Sequence, residues 1–109
     1  MRVTITARHT DVSPDLRVRT RALVERLARV APRPEDAQAI FSGDHGQAIV
    51  ELRLHVARGK VLVGRAEAVD HRSALDRAAA RIRRQLDKSP AKRGGPARRR
   101  ARARSGGRE

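Results

Sequence analysis

The segment Asp70–Lys88 repeats its apolar residues with the period of an α-helix. Four of them recur at spacings of four, three and four positions, so at about 100° per residue they share one narrow face. These residues are Leu75, Ala79, Ile82 and Leu86. Asp70 is a suitable N-cap, because its carboxylate can accept hydrogen bonds from the free backbone N–H groups of the first turn. The segment therefore predicts an amphipathic helix with one face to be buried.

Basic residues repeat the same spacing on the opposite face of this helix. We call the following four residues the basic stripe: Arg77, Arg81, Arg84 and Lys88. Arg72 and Arg83 lie on its flank. Such a stripe can bind a polyanion, or it can be only the solvated side of an amphipathic helix. The charge and composition of the rest of the chain are needed to decide between these two interpretations.

The net charge of the chain favours the first interpretation. The 109 residues include 26 Lys and Arg against 12 Asp and Glu, a formal charge of +14. Residues 1–88 carry +7 of this excess, and residues 89–109 carry the other +7. A domain that is basic in its own right is typical of proteins that bind nucleic acid or an anionic membrane. Arg makes up 23 of the 26 basic residues, which suits bidentate phosphate contacts, although high-GC codon usage gives the same bias.

Residue types that are scarce or missing narrow the function further. Phe41 is the only Phe, Trp or Tyr, which disfavours recognition by base stacking and leaves phosphate and groove-shape contacts. The chain has no Cys and hence no disulfide, thiolate or Cys-based zinc chemistry. No apolar run approaches membrane-spanning length and no signal-peptide pattern is present. We expect a soluble, cytoplasmic protein with no membrane partner.

The first half of the chain predicts a strand, a helix and a weaker strand. Arg2–Ala7 alternates apolar and polar residues, as a half-buried strand does. Ser13 as N-cap and Pro14 at the first helical position begin a helix that continues to about Val30. Asp36–Phe41 is the weaker strand. The apolar side of the helix is predicted to contain Leu16, Thr20, Leu23, Leu27 and Val30.

Two further strands follow a turn predicted at residues 42–46. In Gln47–Val56 alternate residues are apolar, and residues 57–59 make a tight connection to Lys60–Val69. The inward residues of this last strand are small enough to lie under a helix: Leu62, Gly64, Ala66 and Ala68. Val61 and Val63 fall on the outward phase, which the pattern explains only if a β-bulge shifts the register.

The element order β-α-β-β-β-α predicts an α+β fold, a two-layer sandwich in which two helices cover one face of a four-stranded mixed sheet. The first two strands should be parallel and the later pairs antiparallel. Residues 1–88 are the predicted folded domain. Residues 89–109 are Arg-rich, contain four Gly and two Pro but no Leu, Ile, Val or Phe, and are predicted to be a disordered tail that engages RNA electrostatically.

Residue patterns of catalysis and cofactor binding are missing from the sequence. The four His residues lie in separate segments, and the glycines match neither dinucleotide-binding nor Walker spacing. The serines lack a base and an orienting acid at a plausible spacing. We therefore predict a binding protein rather than an enzyme, with no cofactor, no metal and no small-molecule substrate.

With this element order and a basic last helix, the chain resembles the ribosome hibernation promoting factor / ribosome-associated inhibitor family, also called ribosomal subunit interface proteins. The resemblance covers about residues 1–88. Four stretches carry it by their order and spacing: VTITA at 3–7, VSPDLRVR at 12–19, ELRLHVARGK at 51–60 and RAEAVDHRSALDRAAARIRRQLDK at 65–88. Longer members have a C-terminal dimerisation domain where this chain has the Arg-rich tail, so the resemblance is to the short form.

The resemblance implies a translation inhibitor that binds small-subunit rRNA near the decoding centre and blocks tRNA and mRNA during stress. By resemblance, the rRNA-binding residues are Arg77, Arg81, Arg83, Arg84 and Lys88 of the last helix and Arg17 and Arg21 of the first. The family pattern also implies an aromatic residue after Asp70, where this sequence has His71 and Arg72.

Two alternatives stay open from the sequence. The order α-β-β-β-α within residues 14–88 is that of a double-stranded RNA-binding domain, although here a strand precedes the first helix and the basic signature at the start of the last helix is missing. The other alternative is a nucleoid or membrane-surface protein that binds through the basic tail alone.

Overall fold

A computed structural model describes residues 1–88 of the chain, and the predicted disordered tail at 89–109 lies outside the described residues. The elements are β1 Arg2–Ala7, α1 Pro14–Arg29, β2 Pro34–Asp44, β3 Gln47–Val56, a short 3-10 helix Ala57–Gly59, β4 Lys60–Ala68 and α2 His71–Lys88. This order confirms the predicted β-α-β-β-β-α arrangement.

The four strands form one mixed sheet in the order β1-β2-β3-β4. β1 pairs with β2 in parallel, and the β2–β3 and β3–β4 pairs are antiparallel, as predicted. One hydrophobic core combines the inward residues of all the strands with the buried sides of α1 and α2. The predicted two-layer α+β sandwich is therefore confirmed, and no helix or strand of residues 1–88 covers the opposite face of the sheet.

β2 is longer than the predicted Asp36–Phe41, and the turn predicted at 42–46 is present but shorter than predicted. Pairing with β3 continues to Asp44 opposite Gln47, so the turn contains only His45 and Gly46. Both have positive φ, +50° and +78°, which is the backbone geometry that two-residue hairpin turns require. The composition of residues 42–44 is typical of a loop, but pairing with β3 holds these residues in a strand.

The outward valines of β4 have a simpler explanation than a β-bulge. Pairing between β3 and β4 is regular along its whole length, so the shift of register considered from the sequence does not occur. Val61 and Val63 lie on the open face of the sheet, 40% and 42% exposed. Their valine side chains suit a pleated strand without being buried.

Helix α2 lies directly on β4, as the small inward residues of that strand predicted. A Cβ atom built on Gly64 would be 2.3 Å from the carbonyl oxygen of Ala78 and 3.0 Å from Cγ1 of Ile82. Ala74 and Ala78 are also fully buried, which makes the apolar side of α2 wider than the four-residue pattern. The absence of a side chain at Gly64 sets how closely α2 approaches the sheet.

Helix α1 begins as predicted and ends at Arg29, with Val30 as its C-cap. The Ser13 hydroxyl accepts a hydrogen bond from the Leu16 backbone N–H at 3.1 Å. Thr20 is fully buried, and its hydroxyl donates to the Leu16 carbonyl oxygen at 2.7 Å, so its one polar group is satisfied inside the core. Val24 joins this buried side in addition to the predicted residues.

Asp70 caps α2, as predicted. Its contribution to stability depends on pH. The Ser73 backbone N–H donates to Oδ1 of Asp70 at 2.7 Å, and this bond, followed by one with the Ser73 side chain, holds the pKa of Asp70 below its ordinary value of 3.8. The stability that the carboxylate contributes is therefore present above that ordinary value and is lost as pH falls through the lower folded-state pKa.

We expect Asp70→Asn to weaken the acid dependence of stability, because Asn keeps a capping oxygen but carries no titrating charge. Thermal unfolding midpoints measured between about pH 5 and pH 2 should fall less steeply for this variant than for the parent protein. Parallel pH profiles for the two proteins would contradict a role for the Asp70 charge.

Candidate nucleic-acid interface

The positive charge of residues 1–88 is concentrated in the helical layer. Helix α1 has five basic and two acidic residues, and α2 has six basic and two acidic residues, so the helices carry +7 together. The four strands have four basic and five acidic residues, a net charge of −1. The domain therefore has a cationic helical face and a nearly neutral sheet face, which is the electrostatic pattern of a surface that binds polyanions.

All four residues of the basic stripe are exposed, opposite the buried apolar side of α2. The stripe extends over about 16 Å of helix, from a rise of 1.5 Å per residue. Within residues 1–88, the side chains of Arg81 and Arg84 make no hydrogen bond or ion pair, so their guanidinium groups are available to an external anion. The structure thus places the predicted stripe on one continuous surface.

Two side chains of α2 reach down to the free edge of β4. Arg77 donates from Nη1 to the carbonyl oxygen of Glu67 at 3.1 Å, and Gln85 donates from Nε2 to the carbonyl oxygen of Val63 at 2.7 Å. These two carbonyl groups lie four positions apart on a strand that is at the edge of the sheet formed by residues 1–88. Arg77 therefore has a structural contact besides its place in the stripe, although a guanidinium keeps further N–H donors for a ligand.

Arg83 is on the flank of α2 rather than in the stripe. Its Nε lies 3.4 Å from Oδ1 of Asp87, one helical turn later. Such exposed pairs contribute little to stability, but they partly neutralise the charge offered to a ligand. Arg83 is thus placed less favourably for anion binding than Arg81 or Arg84.

The two helices are joined by an ion pair that sequence reasoning missed. Nε and Nη2 of Arg19 donate to the two carboxylate oxygens of Asp76 at 3.0 Å and 2.9 Å. This hydrogen bonding, together with the opposite charge, raises the pKa of Arg19 above its ordinary value. The partners are 57 positions apart in the chain, so no local pattern could have identified them. The bidentate contact fixes α1 beside α2 within the cationic layer.

Arg17 and Arg21, the predicted residues of α1, do not lie beside the basic stripe. Arg21 donates to the carbonyl oxygen of Val3 in β1 at 3.3 Å, and Arg17 is one turn away on the same flank. That flank points away from α2. Arg26 instead follows Arg19 after about two turns and shares the flank that faces α2. The seven predicted rRNA-binding residues therefore lie in two separate groups, five on α2 and two on the flank of α1 that points away from α2.

His71 takes the place of the aromatic residue that the resemblance implied after Asp70. Its ring meets Phe41 edge-on, with ring centroids 5.6 Å apart and an interplanar angle of 71°. Its Nε2 lies 2.7 Å from the carbonyl oxygen of Ser42, to which it can donate. His71 thus fills an aromatic packing position and ties the start of α2 to β2.

Residues 1–88 contain neither a metal-binding cluster nor a membrane-spanning helix. No group of three or more His, Cys, Asp or Glu side chains is placed to hold a metal ion. No helix in this part of the chain is long and apolar enough to cross a membrane.

The fold and the charge distribution define a class of small α+β protein with one cationic helical layer packed on a four-stranded mixed sheet. The chain belongs to the family described as Sigma 54 modulation protein / S30EA ribosomal protein, whose model matches residues 3–93. This match confirms the resemblance to the hibernation factor family, which is ribosome-associated. No curated protein matches the chain.

Solved structures agree with this assignment. A ribosomal subunit interface protein from Coxiella burnetii is 26% identical, with a TM-score of 0.71 over 84% of this chain and 99% of that one. The N-terminal domain of Protein Y from Thermus thermophilus is 22% identical, with a TM-score of 0.70 over 81% of this chain and 98% of that one, and this second likeness bears on the fold alone.

Proposed function

We propose that this protein binds the small ribosomal subunit in the cytoplasm and silences the ribosome by occupying the channel near the decoding centre. The observation that carries the proposal is the concentration of positive charge on the helical layer of a member of a ribosome-associated family. Ribosomal RNA presents closely spaced phosphates, and their neutralisation releases counterions and favours binding. The family match favours the ribosome over a generic double-stranded RNA target.

Inhibition by occupancy requires a rigid cationic body rather than chemistry. The protein would compete with tRNA and mRNA for the same space, so no catalytic group has to be invoked. The bidentate Arg19–Asp76 contact and the close packing of α2 on Gly64 support this mode, because the first holds α1 against α2 and the second holds α2 against the sheet. The predicted Arg-rich tail at 89–109 would add sequence-independent attraction to RNA.

We assign the main rRNA contacts to Arg81, Arg84 and Lys88. Arg81 and Arg84 are exposed and have no internal partner in the described part of the chain, and Lys88 continues the same surface. Arg77 and Arg83 would contribute less because each also bonds within the protein. Arg17 and Arg21, on the far flank of α1, would contact RNA only if the binding site wraps around that helix.

A sedimentation experiment tests the proposal. The protein, mixed with purified small or large subunits and centrifuged through sucrose, is expected to co-sediment with small subunits and whole ribosomes but not with large subunits alone. It should also displace labelled tRNA from programmed small subunits, since both would occupy one channel. Equal retention by large subunits, or small-subunit binding that leaves tRNA in place, would contradict the proposed site.

A further inference from the structure

A groove of about 900 Å³ opens at the end of the molecule where α2 finishes. The 3-10 turn between β3 and β4 borders it on one side and the α1–β2 connection on the other. Its floor is aliphatic and includes Val56, Leu62 and Leu86. A volume of this size lies within the range of small-molecule and cofactor sites.

Every charged residue of the described range 1–88 that lines this groove is basic. Arg33, Arg58 and Lys60 are exposed, and within residues 1–88 their side chains make no hydrogen bond or ion pair. No acidic side chain of this described part lines the groove. Lys88 lines it as well and belongs to the basic stripe, so the two surfaces are continuous. The groove therefore suits a ligand with an apolar body and negative charge at its edge.

Backbone conformation singles out two of these rim residues. Arg33 has φ +47° and Arg58 has φ +68°, the left-handed region that favours glycine. Only two other non-glycine residues of the described chain, His9 and His45, have positive φ. Strained backbone of this kind is found preferentially at ligand-binding positions. Both arginines therefore occupy turn positions on one rim where glycine would fit the backbone with less strain.

The occupant can be chosen by charge and by continuity with the stripe. Residues 89–109 of this chain carry eight basic residues and one acidic residue, so the rim would repel them. RNA that lies along the basic stripe would reach the groove at Lys88 without crossing a neutral surface. An unpaired base can stack on an arginine plane, which replaces the aromatic platform that this composition lacks.

We propose that the groove binds one unpaired nucleotide of the RNA that contacts the basic stripe. The base would rest on the partly exposed aliphatic side chain of Leu62 and stack on an arginine of the rim. Arg33, Arg58 and Lys60 would contact the flanking phosphates. This assignment rests on the proposed ribosome binding and adds to it a defined nucleotide subsite.

Photo-crosslinking locates the occupant. Because the chain has no cysteine, Ala57→Cys provides a single thiol at the groove for a short photoreactive label, and Thr4→Cys on the open sheet face provides the matched control. In complexes with small subunits, the Ala57→Cys label should crosslink to an unpaired rRNA nucleotide, and the Thr4→Cys label should crosslink to rRNA far less.

The other outcomes separate the subsite from the function. Crosslinks from Ala57→Cys to a ribosomal protein or to residues 89–109, or no crosslink while the protein stays bound, would overturn the nucleotide subsite and leave the proposed function standing. Failure of the unlabelled parent protein to bind small subunits would overturn the proposed function itself, and the subsite with it.

Arg58→Gly provides a second, independent test. Glycine relieves the positive φ, so the thermal midpoint should stay the same or rise, while small-subunit binding should weaken roughly tenfold through loss of the stacking and phosphate contacts. Arg65→Gln on the open face of the sheet is the control for loss of one charge and should change binding little. Unchanged binding by Arg58→Gly would overturn the proposal, because the strained arginine would then serve no ligand.

Discussion

We expect a variant with glutamine at all four positions of the basic stripe to bind small subunits with a weaker salt dependence. The slope of log K against log salt concentration should become smaller in magnitude by about 3 units. Each phosphate contact releases counterions in proportion to the charge neutralised, and the variant removes up to four such contacts. Glutamine retains good helix propensity and leaves the buried side of α2 unchanged, so the fold should persist. Inhibition of translation in vitro should weaken in parallel.

The control for this variant removes four charges from other surfaces. Arg2, Arg53 and Arg65 lie on the open face of the sheet, and Arg8 lies in the connection between β1 and α1. Glutamine at these four positions gives the same net charge as the stripe variant, yet it should leave most of the salt slope and inhibition intact. Equal losses in the two variants would mean that total charge alone governs binding and that the stripe is merely solvated.

Gly64→Ala is expected to lower the thermal unfolding midpoint by roughly 5–20 °C. The new Cβ would approach the Ala78 carbonyl oxygen to 2.3 Å, and no side-chain rotation can relieve a clash with helix backbone. Helix α2 would have to move off β4, at a typical overpacking cost of about 1–3 kcal/mol. In a domain of this size each kcal/mol corresponds to about 4–8 °C.

Gly43→Ala is the matched control for this substitution. A Cβ at Gly43, also in a strand, would find its nearest neighbour, the Gln47 carbonyl oxygen, at an ordinary 3.5 Å, and its φ is not in the left-handed region. Its midpoint should stay within a few degrees of the parent protein. If calorimetry gave the two variants the same midpoint, the close approach of α2 to Gly64 would not be limiting.

The periodic features of this protein could be predicted because each is a local property. The spacing in α2 identifies both its buried side and the basic stripe, since every residue turns by the same angle about the helix axis. The alternation in β3 and the small residues of β4 are equally local, and they indicated a sheet lying under a helix. Asp70 was predictable as a cap because its partner is only three residues away.

The extent of β2 and the exposure of Val61 and Val63 could not be predicted in this way. Residues 42–44 become a strand only because β3 offers them a ladder, which outweighs their turn-like composition. In the sequence, Val61 and Val63 suggested a shift in the register of β4. In the structure they lie on the open face of the sheet, and the pairing with β3 contains no bulge. In both cases the deciding contact is with another strand.

By itself, the sequence determined the element order, the inward faces and the concentration of positive charge on the helices, because spacing and residue type are encoded position by position. Tertiary structure alone decided which charges from different segments of the chain become neighbours. Asp76 pairs with Arg19 across 57 positions, Arg21 turns to β1, and the rim of the groove comes from separate connections. Such contacts depend on how the helices and strands pack, and no periodicity within one segment records that arrangement.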